Sequence, residues 1–304
     1  MMPLAIDKRP KTLKTFEGNE ELKKSLSSIL NRSITDIPHA FLFTGLSGGG
    51  KTTLAGIVAN HLKCDSSELY EVNSGHFRGI DSVRELESDM RYGAKKGSVR
   101  LWIFNECHKW TNDAQNAILD VIEKAPKHVY FVLTTTDPQK LILPLRKRCI
   151  EYQVSPLTDD EMFDFVAGII ETEEADVPDN IIDKIVSVAQ GSSRNALQLL
   201  EKVIDLPVAD MNKVVMLIED EEATTKELID AMLKKRPWKE VAGIIKRLTA
   251  EPESIRYAVL GYTSAILLNG ASNKQAALIL DCFSKNTYDT GKAGIVMAAY
   301  EAVL

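Results

Sequence analysis

The fold of this chain is decided by the stretch Gly45-Leu-Ser-Gly-Gly-Gly-Lys-Thr52. It matches the pattern G-x-x-x-x-G-K-S/T of a phosphate-binding loop, in which glycines let backbone N–H groups turn toward the phosphates. The apolar residues 39–44 before it predict a strand, and residues 52–62 after it predict a helix. The start of that helix favours negative charge, Lys51 reaches the β- and γ-phosphates, and Thr52 ligates magnesium. The sequence therefore predicts a site for ATP and Mg²⁺ rather than a flexible glycine-rich turn.

A second polar site follows the apolar residues 99–104, which predict another buried strand. The chain continues with Asn105 and Glu106, at the place where enzymes with such a loop hold magnesium and the attacking water. Glu106 would orient or deprotonate that water. Asn105 replaces the usual first carboxylate, and its amide oxygen would contact a magnesium-bound water without adding charge. The alternative is that the pair only ends a strand. For Cys107 and His108 we expect polar or packing roles.

Length and composition exclude several classes of protein. The 304 residues are 44% hydrophobic and 26% charged, which is typical of a globular chain with two domains or three small ones. No apolar run approaches the roughly 18 residues of a membrane span. The first residues lack the apolar stretch of a signal peptide, so we expect a cytoplasmic protein without a membrane partner. The four cysteines lie far apart, which argues against a zinc module or a disulfide framework.

The net charge of −6 hides a difference between the two halves of the chain. Residues 1–155 carry 22 Lys and Arg against 18 Asp and Glu, a balance of +4. The remainder carries 15 against 25, a balance of −10. An acidic protein is a poor general binder of nucleic acid, but its first half could present a basic face. Ordinary scatter of surface charge would explain the same numbers.

Strand and helix signals alternate only in the first half. Residues 129–133 predict a third buried strand, and residues 113–123 predict the helix before it. Strands that alternate with helices form a parallel sheet covered on both faces. After about residue 156 only helical spacing remains, and the first helix there opens with Thr158 and Glu161 in a capping-box pattern. The later helices are predicted at 159–171, 180–190, 193–204 and from about 210 onward, with breaks near Pro237, Pro252, Gly270 and Asn286.

Several motifs follow one another in the order found in AAA+ sliding-clamp loader subunits. Besides the loop they are Lys8-Arg-Pro-Lys-Thr12, Gly18-Asn-Glu20, Asn105-Glu-Cys-His108, Ala114-Gln-Asn-Ala-Ile-Leu119, Thr135-Thr-Asp-Pro-Gln-Lys-Leu141, Lys147-Arg-Cys149 and Gly191-Ser-Ser-Arg-Asn-Ala196. The chain resembles the bacterial polymerase III gamma/tau subunit, the small subunits of replication factor C and the large subunits of phage clamp loaders. The resemblance implies an α/β P-loop AAA+ domain with a parallel sheet at 1–155, a small helical lid domain at 156–208 and an all-α collar domain at 209–304.

The resemblance also implies roles for single residues. Arg148 would be an arginine finger that enters the ATP site of a neighbouring subunit, although a solvated basic turn has the same sequence. Arg194 would be the second sensor of the γ-phosphate, with an exposed helix arginine as the alternative. Thr136 would be the first sensor, or a polar residue at a strand end, and Asn73 would restrain Glu106 until DNA arrives. The residues implied to bind the nucleotide are Arg9, Pro10, Gly45, Gly48, Gly49, Gly50, Lys51, Thr52 and Thr53, with Thr52 and Asn105 at the magnesium ion.

The segment that follows Asn73 resembles the one that carries the DNA-tracking helix of these proteins. A helix beginning near Asp81 would offer its N-terminal amides, and Arg84 its charge, to the phosphate backbone of DNA. Such contacts report shape rather than sequence and weaken with salt. A surface ion pair between Arg84 and Glu85 is the alternative. The residues implied to contact DNA are Arg78, Ile80, Asp81 and Arg84.

The resemblance implies the function of an ATPase subunit of a clamp loader. Several copies, with a different partner subunit, would form a pentameric ring that opens a sliding clamp and places it on primer–template DNA. Trp110 would take part in clamp binding if it is exposed, and a buried Trp110 is the alternative. A branch-migration motor, a helicase loader and a weakly hydrolysing structural subunit are the alternative functions.

Overall fold

A computed structural model describes residues 3–73, 80–90, 92–94, 96–268, 273–285, 287 and 290–304. Its contacts divide the chain into two compact units, Met1–Val208 and Ala209–Leu304. The predicted AAA+ and lid domains both lie in the first unit, and the predicted collar domain makes up the second. The division into three domains stays a prediction.

A parallel sheet forms the centre of the first unit. Within the described residues its strands are β1 (Ala40–Gly45), β2 (Leu69–Asn73), β3 (Arg100–Asn105), β4 (Val129–Thr135) and β5 (Ile150–Val154). They stand in the order β2-β3-β4-β1-β5, and every neighbouring pair is parallel. The register pairs Asn73 with Asn105 and Thr44 with Thr135. The carboxyl ends of these strands therefore lie along one edge of the sheet, where ligands of such sheets bind.

Helices cover both faces of the sheet. Those described in the first unit are α1 (Leu4–Asp7), α2 (Glu20–Leu30), α3 (Lys51–His61), α4 (Ile80–Met90), α5 (Asn112–Glu123), α6 (Leu143–Arg148), α7 (Asp159–Thr172), α8 (Asp179–Ala189) and α9 (Ser193–Val203). Successive side chains of a strand point to opposite faces. Phe41 and Phe43 of β1 accordingly belong to the buried cluster that includes α2 and α3, and Leu42 belongs to the cluster that includes α4, α5 and α6.

Side-chain caps fix the starts of the helices after the sheet. At α7 the Thr158 hydroxyl accepts the N–H of Glu161, and the Glu161 carboxylate accepts the N–H of Thr158 at 2.9 Å, which confirms the predicted capping box. At α9 the Ser192 hydroxyl accepts the N–H of Asn195 at 3.3 Å. Each such cap contributes about 1 kcal/mol.

The second unit consists of helices in the part that the structure describes. They are α10 (Val208–Leu233), α11 (Trp238–Arg247), α12 (Pro252–Leu268), α13 (Lys274–Cys282) and α14 (Lys292–Val303). Pro237 directly precedes α11 and Pro252 opens α12, as expected for a residue that fits only the first turn of a helix. Each of the five helices contributes to one buried core, for example Ile229, Val241, Val259, Ile279 and Ile295.

The predicted fold class, an α/β domain with a parallel sheet followed by helices, is confirmed. β1, β3 and β4 lie where continuous apolar runs predict buried strands. Apolar runs did not predict β5, because it is an edge strand whose alternate residues Glu151 and Gln153 are exposed. The helix α2 was not predicted either. Across the described ranges, no helix has both the length and the apolar composition that a membrane crossing needs.

Candidate nucleotide site

The loop between β1 and α3 has the backbone that its glycines predict. Gly48 has a φ of +78° and Gly50 a φ of +95°, a region that residues with a Cβ rarely adopt. A Cβ on Gly50 would lie 2.8 Å from the ring of Phe16, and one on Gly48 would collide with the Ser192 hydroxyl. Glycine is therefore required at both positions. Because α3 begins at Lys51, its first N–H groups point back toward this loop.

Lys51 is buried at the start of α3, and its ammonium group lies against the loop. Its Nζ donates hydrogen bonds to the carbonyl oxygens of Gly45 at 2.9 Å and Leu46 at 2.8 Å. Burial lowers the pKa of Lys51; the Glu106 carboxylate opposes this shift, and the Arg194 guanidinium adds to it. A triphosphate beside Nζ would favour the charged form, so we expect nucleotide binding to raise this pKa.

Two hydroxyl groups converge on the Asn105 side chain at the end of β3. Thr52 Oγ1 and Thr134 Oγ1 each donate to Asn105 Oδ1 at 3.1 Å. Hydroxyl and amide oxygens are hard ligands of the kind magnesium prefers, but neither carries a charge. These residues therefore fit a magnesium ion that is held mainly by phosphates and water. Among the residues that the structure describes, no group of three His, Cys, Asp or Glu could hold a metal.

Glu106 leaves β3 in a left-handed backbone conformation, with φ 57° and ψ 43°. For a residue with a Cβ this conformation costs about 1–2 kcal/mol. Glu106 lines the cleft beside the loop together with Lys51 and Thr52. Its Oε2 accepts a hydrogen bond from Thr136 Oγ1 at 3.3 Å. Glu174 and four other residues with a Cβ have a similar positive φ, so the place of the carboxylate in the cleft, and not the strain alone, supports a functional role.

His108 also approaches the Glu106 carboxylate, although sequence reasoning assigned it a polar or packing role. It lies in the short 3₁₀ turn after Glu106, and its side chain is 13% exposed. Its Nε2 lies 3.6 Å from Glu106 Oε2, and its Nδ1 lies 3.0 Å from Thr135 Oγ1. Thr135 is 27 residues away along the chain, so the order of the strands is what brings the two side chains together.

The remaining sides of the cleft are formed by the N-terminal segment and by the helices after the sheet. Arg194, near the start of α9, lines the cleft with an exposed side chain. Ser193 Oγ donates to the carbonyl oxygen of Gly48 at 3.1 Å, which joins α9 to the loop. Other predicted nucleotide-binding residues that line it are Arg9, Pro10, Gly49, Gly50 and Thr53, and its apolar lining residues include Phe16, Leu157, Phe165 and Leu197.

Arg148 lies apart from the residues that line this cleft. It ends α6, its side chain is 58% exposed, and its Nη2 lies 2.7 Å from Glu123 Oε1. The neighbouring Arg146 pairs with Glu151 at 2.9 Å. Arg148 is exposed in the single chain, which agrees both with a solvated basic turn and with an arginine finger that enters a neighbouring chain. The finger role of Arg148 stays a prediction.

The predicted DNA-contacting residues lie only partly within the structure. Arg78 lies outside the described residues, as do the side chains of Asn73, Ile80 and Asp81. The backbone of Ile80 begins α4, and Arg84 is exposed on that helix. The backbone of Asn73 ends β2, in register with the end of β3. The roles of these residues stay predictions.

Trp110 is buried, which decides between the two alternatives that the sequence left open and removes it as an exposed clamp contact. Its side chain is 5% exposed, and its ring packs edge-to-face on Phe104 with 5.1 Å between ring centroids. It belongs to the apolar cluster that includes α4, α5 and α6. Tryptophan is largely buried in most proteins because it removes a large apolar area from water.

Gln115 is a buried polar residue whose position sequence reasoning did not interpret. It is 1% exposed; its Nε2 donates to the Lys140 carbonyl at 3.1 Å, and its Oε1 accepts the N–H of Ile142 at 2.7 Å. Nε2 also lies 3.4 Å from the Trp110 carbonyl oxygen. The side chain thereby joins the turn after Glu106 to the segment before α6. An amide on an otherwise apolar face of α5 was the sequence signal for it.

Solved structures identify the fold. The Holliday junction branch migration motor RuvB of Thermotoga maritima matches with a TM-score of 0.61 and 19% sequence identity, over 77% of this chain and 84% of that one. A mutant of the same motor with one lysine replaced by arginine matches over the same shares with a TM-score of 0.62. At this identity the likeness concerns the fold alone. The chain therefore shares the fold of this motor, and the loop and strand-end groups of the cleft agree with the predicted α/β P-loop class.

Comparison with known protein sequences shows which proteins with this fold the chain is similar to. The family described as "DNA polymerase III, delta subunit" matches residues 69–158. The chain is 26% identical over 230 residues to DNA polymerase III subunit gamma of Buchnera aphidicola subsp. Schizaphis graminum, which covers 69% of this chain and 63% of that protein. It is 27% identical over 257 residues to subunit tau of Escherichia coli, covering 76% and 39%. With subunit tau of Bacillus subtilis it shares 26% over 261 residues, covering 79% and 46%.

These similarities confirm the resemblance to AAA+ clamp-loader subunits of the polymerase III gamma/tau type. The chain spans between 39% and 63% of the length of the three relatives.

Proposed function

We propose that this chain is an ATPase subunit of a sliding-clamp loader, which uses ATP binding and hydrolysis to open a clamp and place it on primer–template DNA. The observation that carries the proposal is one cleft lined by Lys51 and Thr52 of the loop, Glu106 after β3 and Arg194 of α9. Similarity to polymerase III gamma and tau subunits supports the loader role. On the same basis we propose an ATP-binding domain at 1–155, a lid at 156–208 and a collar at 209–304.

ATP binding would rest on the loop and on the lid. Backbone N–H groups at the start of α3 and the Lys51 ammonium would hold the phosphates. Thr52 and Asn105 would hold a magnesium ion, which would neutralise part of the phosphate charge. The positive groups of Lys51 and Arg194 repel each other across the cleft, since Arg194 helps to lower the pKa of Lys51. A polyphosphate between them would relieve this repulsion and draw α9 toward the loop, which is how Arg194 would act as a sensor.

Glu106 would orient the water that attacks the γ-phosphate. Its carboxylate lines the cleft, and Thr136 holds one of its oxygens at 3.3 Å, as expected for a first sensor next to the base. A positioned general base contributes about 10²–10⁴ to the rate. Restraint of Glu106 by Asn73 in the absence of DNA is part of the proposal.

A neighbouring subunit would complete the site with its own Arg148. The exposed end of α6 supports this role, because a guanidinium that is 58% exposed can reach a second molecule. Its surface ion pair with Glu123 stabilises the chain by at most about 1 kcal/mol, so exchange of that partner for a phosphate costs little. An arginine finger contributes about 10³–10⁵ to the rate of phosphoryl transfer.

The remaining partners follow from the same proposal. Several copies, with a different partner subunit, would form a pentameric ring in the cytoplasm. The ring would bind a sliding clamp and the backbone of primer–template DNA. The start of α4, where Ile80 and Asp81 begin the helix, and the exposed Arg84 would face the phosphates. Such binding would be independent of base sequence and would weaken with salt.

A second candidate function is a structural subunit that binds ATP and hydrolyses it poorly. The observation that favours it is Asn105, a neutral amide that receives two hydroxyl hydrogen bonds where a carboxylate would add charge at magnesium. A branch-migration motor or a helicase loader would use the same kind of fold, but none of the described residues that line the cleft favours either function.

The test is ATP turnover by the assembly that co-purifies with the full chain, measured with and without clamp and primer–template DNA. For the loader we expect clamp- and DNA-stimulated turnover that falls about 10²–10⁴-fold in Glu106→Gln, with ATP binding retained. Glu21→Gln, an exposed change on α2, serves as the matched control and should leave turnover unchanged. ATP binding without turnover under any condition would instead support the structural subunit, and a failure to bind ATP would overturn both.

A further inference from the structure

His108 carries a nearly buried imidazole that the proposed mechanism does not use. Its ring lies between the end of β4 and the residue after β3: Nδ1 is 3.0 Å from Thr135 Oγ1, and Nε2 is 3.6 Å from Glu106 Oε2. Burial lowers the pKa of His108 despite the opposing Glu106 charge. The ring is therefore neutral near pH 7, and one of its two nitrogens carries the proton.

The two polar neighbours of the ring, Thr135 and Glu106, together decide which nitrogen that is. Thr135 Oγ1 accepts the backbone N–H of Asp137 at 3.0 Å, and the Thr135 side chain is fully buried. A hydroxyl oxygen can accept two hydrogen bonds, so this contact alone allows either Thr135 Oγ1 or His108 Nδ1 to be the donor at 3.0 Å. The Glu106 carboxylate can only accept, so the tautomer with the ring proton on Nε2 suits both neighbours: Nε2–H faces Glu106, and the Thr135 hydroxyl donates to Nδ1.

Both contacts to the Glu106 carboxylate reach the same oxygen. Thr136 Oγ1 donates to Oε2 at 3.3 Å, and His108 Nε2 lies 3.6 Å from that oxygen. Neither contact involves Oε1. Because Glu106 lines the cleft with its side chain 37% exposed, fixing Oε2 also fixes which oxygen a water molecule in the cleft would meet.

We propose that His108 is a positioning residue for Glu106: its imidazole, oriented by Thr135, holds Oε2 on the side of β4 and leaves Oε1 to the attacking water. This inference rests on the proposed function of Glu106. It predicts that His108 acts on turnover through Glu106 and not on nucleotide binding, since the residue does not line the cleft. Misplacement of a catalytic group by about 1 Å costs roughly 10²-fold in rate.

The experiment compares three variants in the complete assembly, with ATP affinity and turnover measured separately. His108→Leu should lower kcat by about 10- to 100-fold with ATP affinity unchanged. His108→Gln places an amide donor where Nε2–H was and should recover most of that loss. Thr135→Val removes the hydroxyl without changing the size of the side chain and should lower kcat in the same direction. Lys109→Gln, an exposed change in the same turn, is the matched control.

Glu106→Gln separates this inference from the proposed function. If Glu106→Gln abolishes turnover while His108→Leu leaves kcat within twofold of the unchanged chain, the positioning role is overturned and the proposed function stands. If Glu106→Gln itself has no effect, the proposed function fails first. In the Glu106→Gln background, adding His108→Leu should give no further loss of residual turnover; an additional loss of the same size as in the unchanged chain would contradict action through Glu106.

Discussion

Each unit of the molecule contains a network of polar side chains within apolar surroundings, and the two networks differ in how completely their groups are used. The network in the second unit, which we call the helical junction, consists of Glu253, Arg256, Thr287 and the Phe283 carbonyl. Arg256 donates to both oxygens of Glu253 at 3.1 and 2.9 Å and to the Phe283 carbonyl at 3.3 Å. Glu253 also accepts the N–H and the hydroxyl of Thr287. In the first unit, Glu106 uses one oxygen and faces a cleft.

The difference separates stability from chemistry. The helical junction ties the start of α12 to the segment after α13, and its charges are matched within the unit, which is how a structural network minimises the cost of burial. At the carboxyl ends of the strands, the Glu106 carboxylate and the Lys51 ammonium group face an open cleft, and Glu106 has a costly backbone conformation. We therefore expect substitutions in the helical junction to change stability and substitutions at the strand ends to change activity.

The largest effect on stability is expected from Arg256→Ala in the helical junction. Removing the guanidinium leaves Glu253 and the Phe283 carbonyl without this donor, which should lower the free energy of unfolding of the second unit by on the order of 3 kcal/mol. Chemical denaturation followed by circular dichroism measures the change. Arg247→Ala is the control, because its pair with Glu227 is exposed and should be worth less than about 1 kcal/mol. Equal losses in the two variants would contradict the comparison.

Acid should weaken the same junction. Hydrogen bonding from Arg256 holds the pKa of Glu253 at about 2, against an ordinary 4.5, with Thr287 adding to the effect. Because the folded state favours the carboxylate, the stabilisation is complete above pH 4.5 and is lost as the pH falls toward 2. Denaturation curves between these limits should show a decline in the unchanged chain that is reduced in Glu253→Gln. Identical acid slopes in both proteins would refute the assignment.

The smallest effect on stability has the opposite sign and occurs at the strand ends. Glu106→Gly should abolish turnover while raising the free energy of unfolding of the first unit by up to about 1 kcal/mol, because glycine adopts a φ of 57° without strain. Glu174 has a φ of 52° at the exposed end of α7, so Glu174→Gly is a matched control. It should give a similar gain with turnover intact. A loss of stability in Glu106→Gly would contradict the claim that the backbone at Glu106 is strained.

The sequence predicted those parts of the candidate nucleotide site whose residues lie close together along the chain. A glycine loop between a strand and a helix fixes the positions of Lys51 and Thr52, and an apolar run that ends in polar residues identifies Asn105 and Glu106. Parallel strands explain why these two sites meet. The contacts of His108 and Gln115 were missed because each depends on a partner about 25 residues away, whose position is set by the order of the strands.

Other properties depend on surroundings that one sequence does not specify. Trp110 is buried because Phe104 and its neighbours cover it, whereas the resemblance to clamp loaders left an exposed, clamp-contacting side chain equally open. β5 was missed because an edge strand with one covered face lacks a continuous apolar run. The proposed role of Arg148 requires a second chain, since the residue does not line the cleft of its own chain.

In the proposed loader, two neighbouring chains share each triphosphate, one supplying Glu106 and the other Arg148. Mixing Glu106→Gln chains with Arg148→Ala chains in one assembly tests it directly, because each variant alone should be inactive. In the mixture, an intact Glu106 and an intact Arg148 meet at some interfaces, so we expect clamp- and DNA-stimulated ATP turnover to reappear. If the mixture stays as inactive as each variant alone while both chains assemble and bind ATP, the shared site is contradicted.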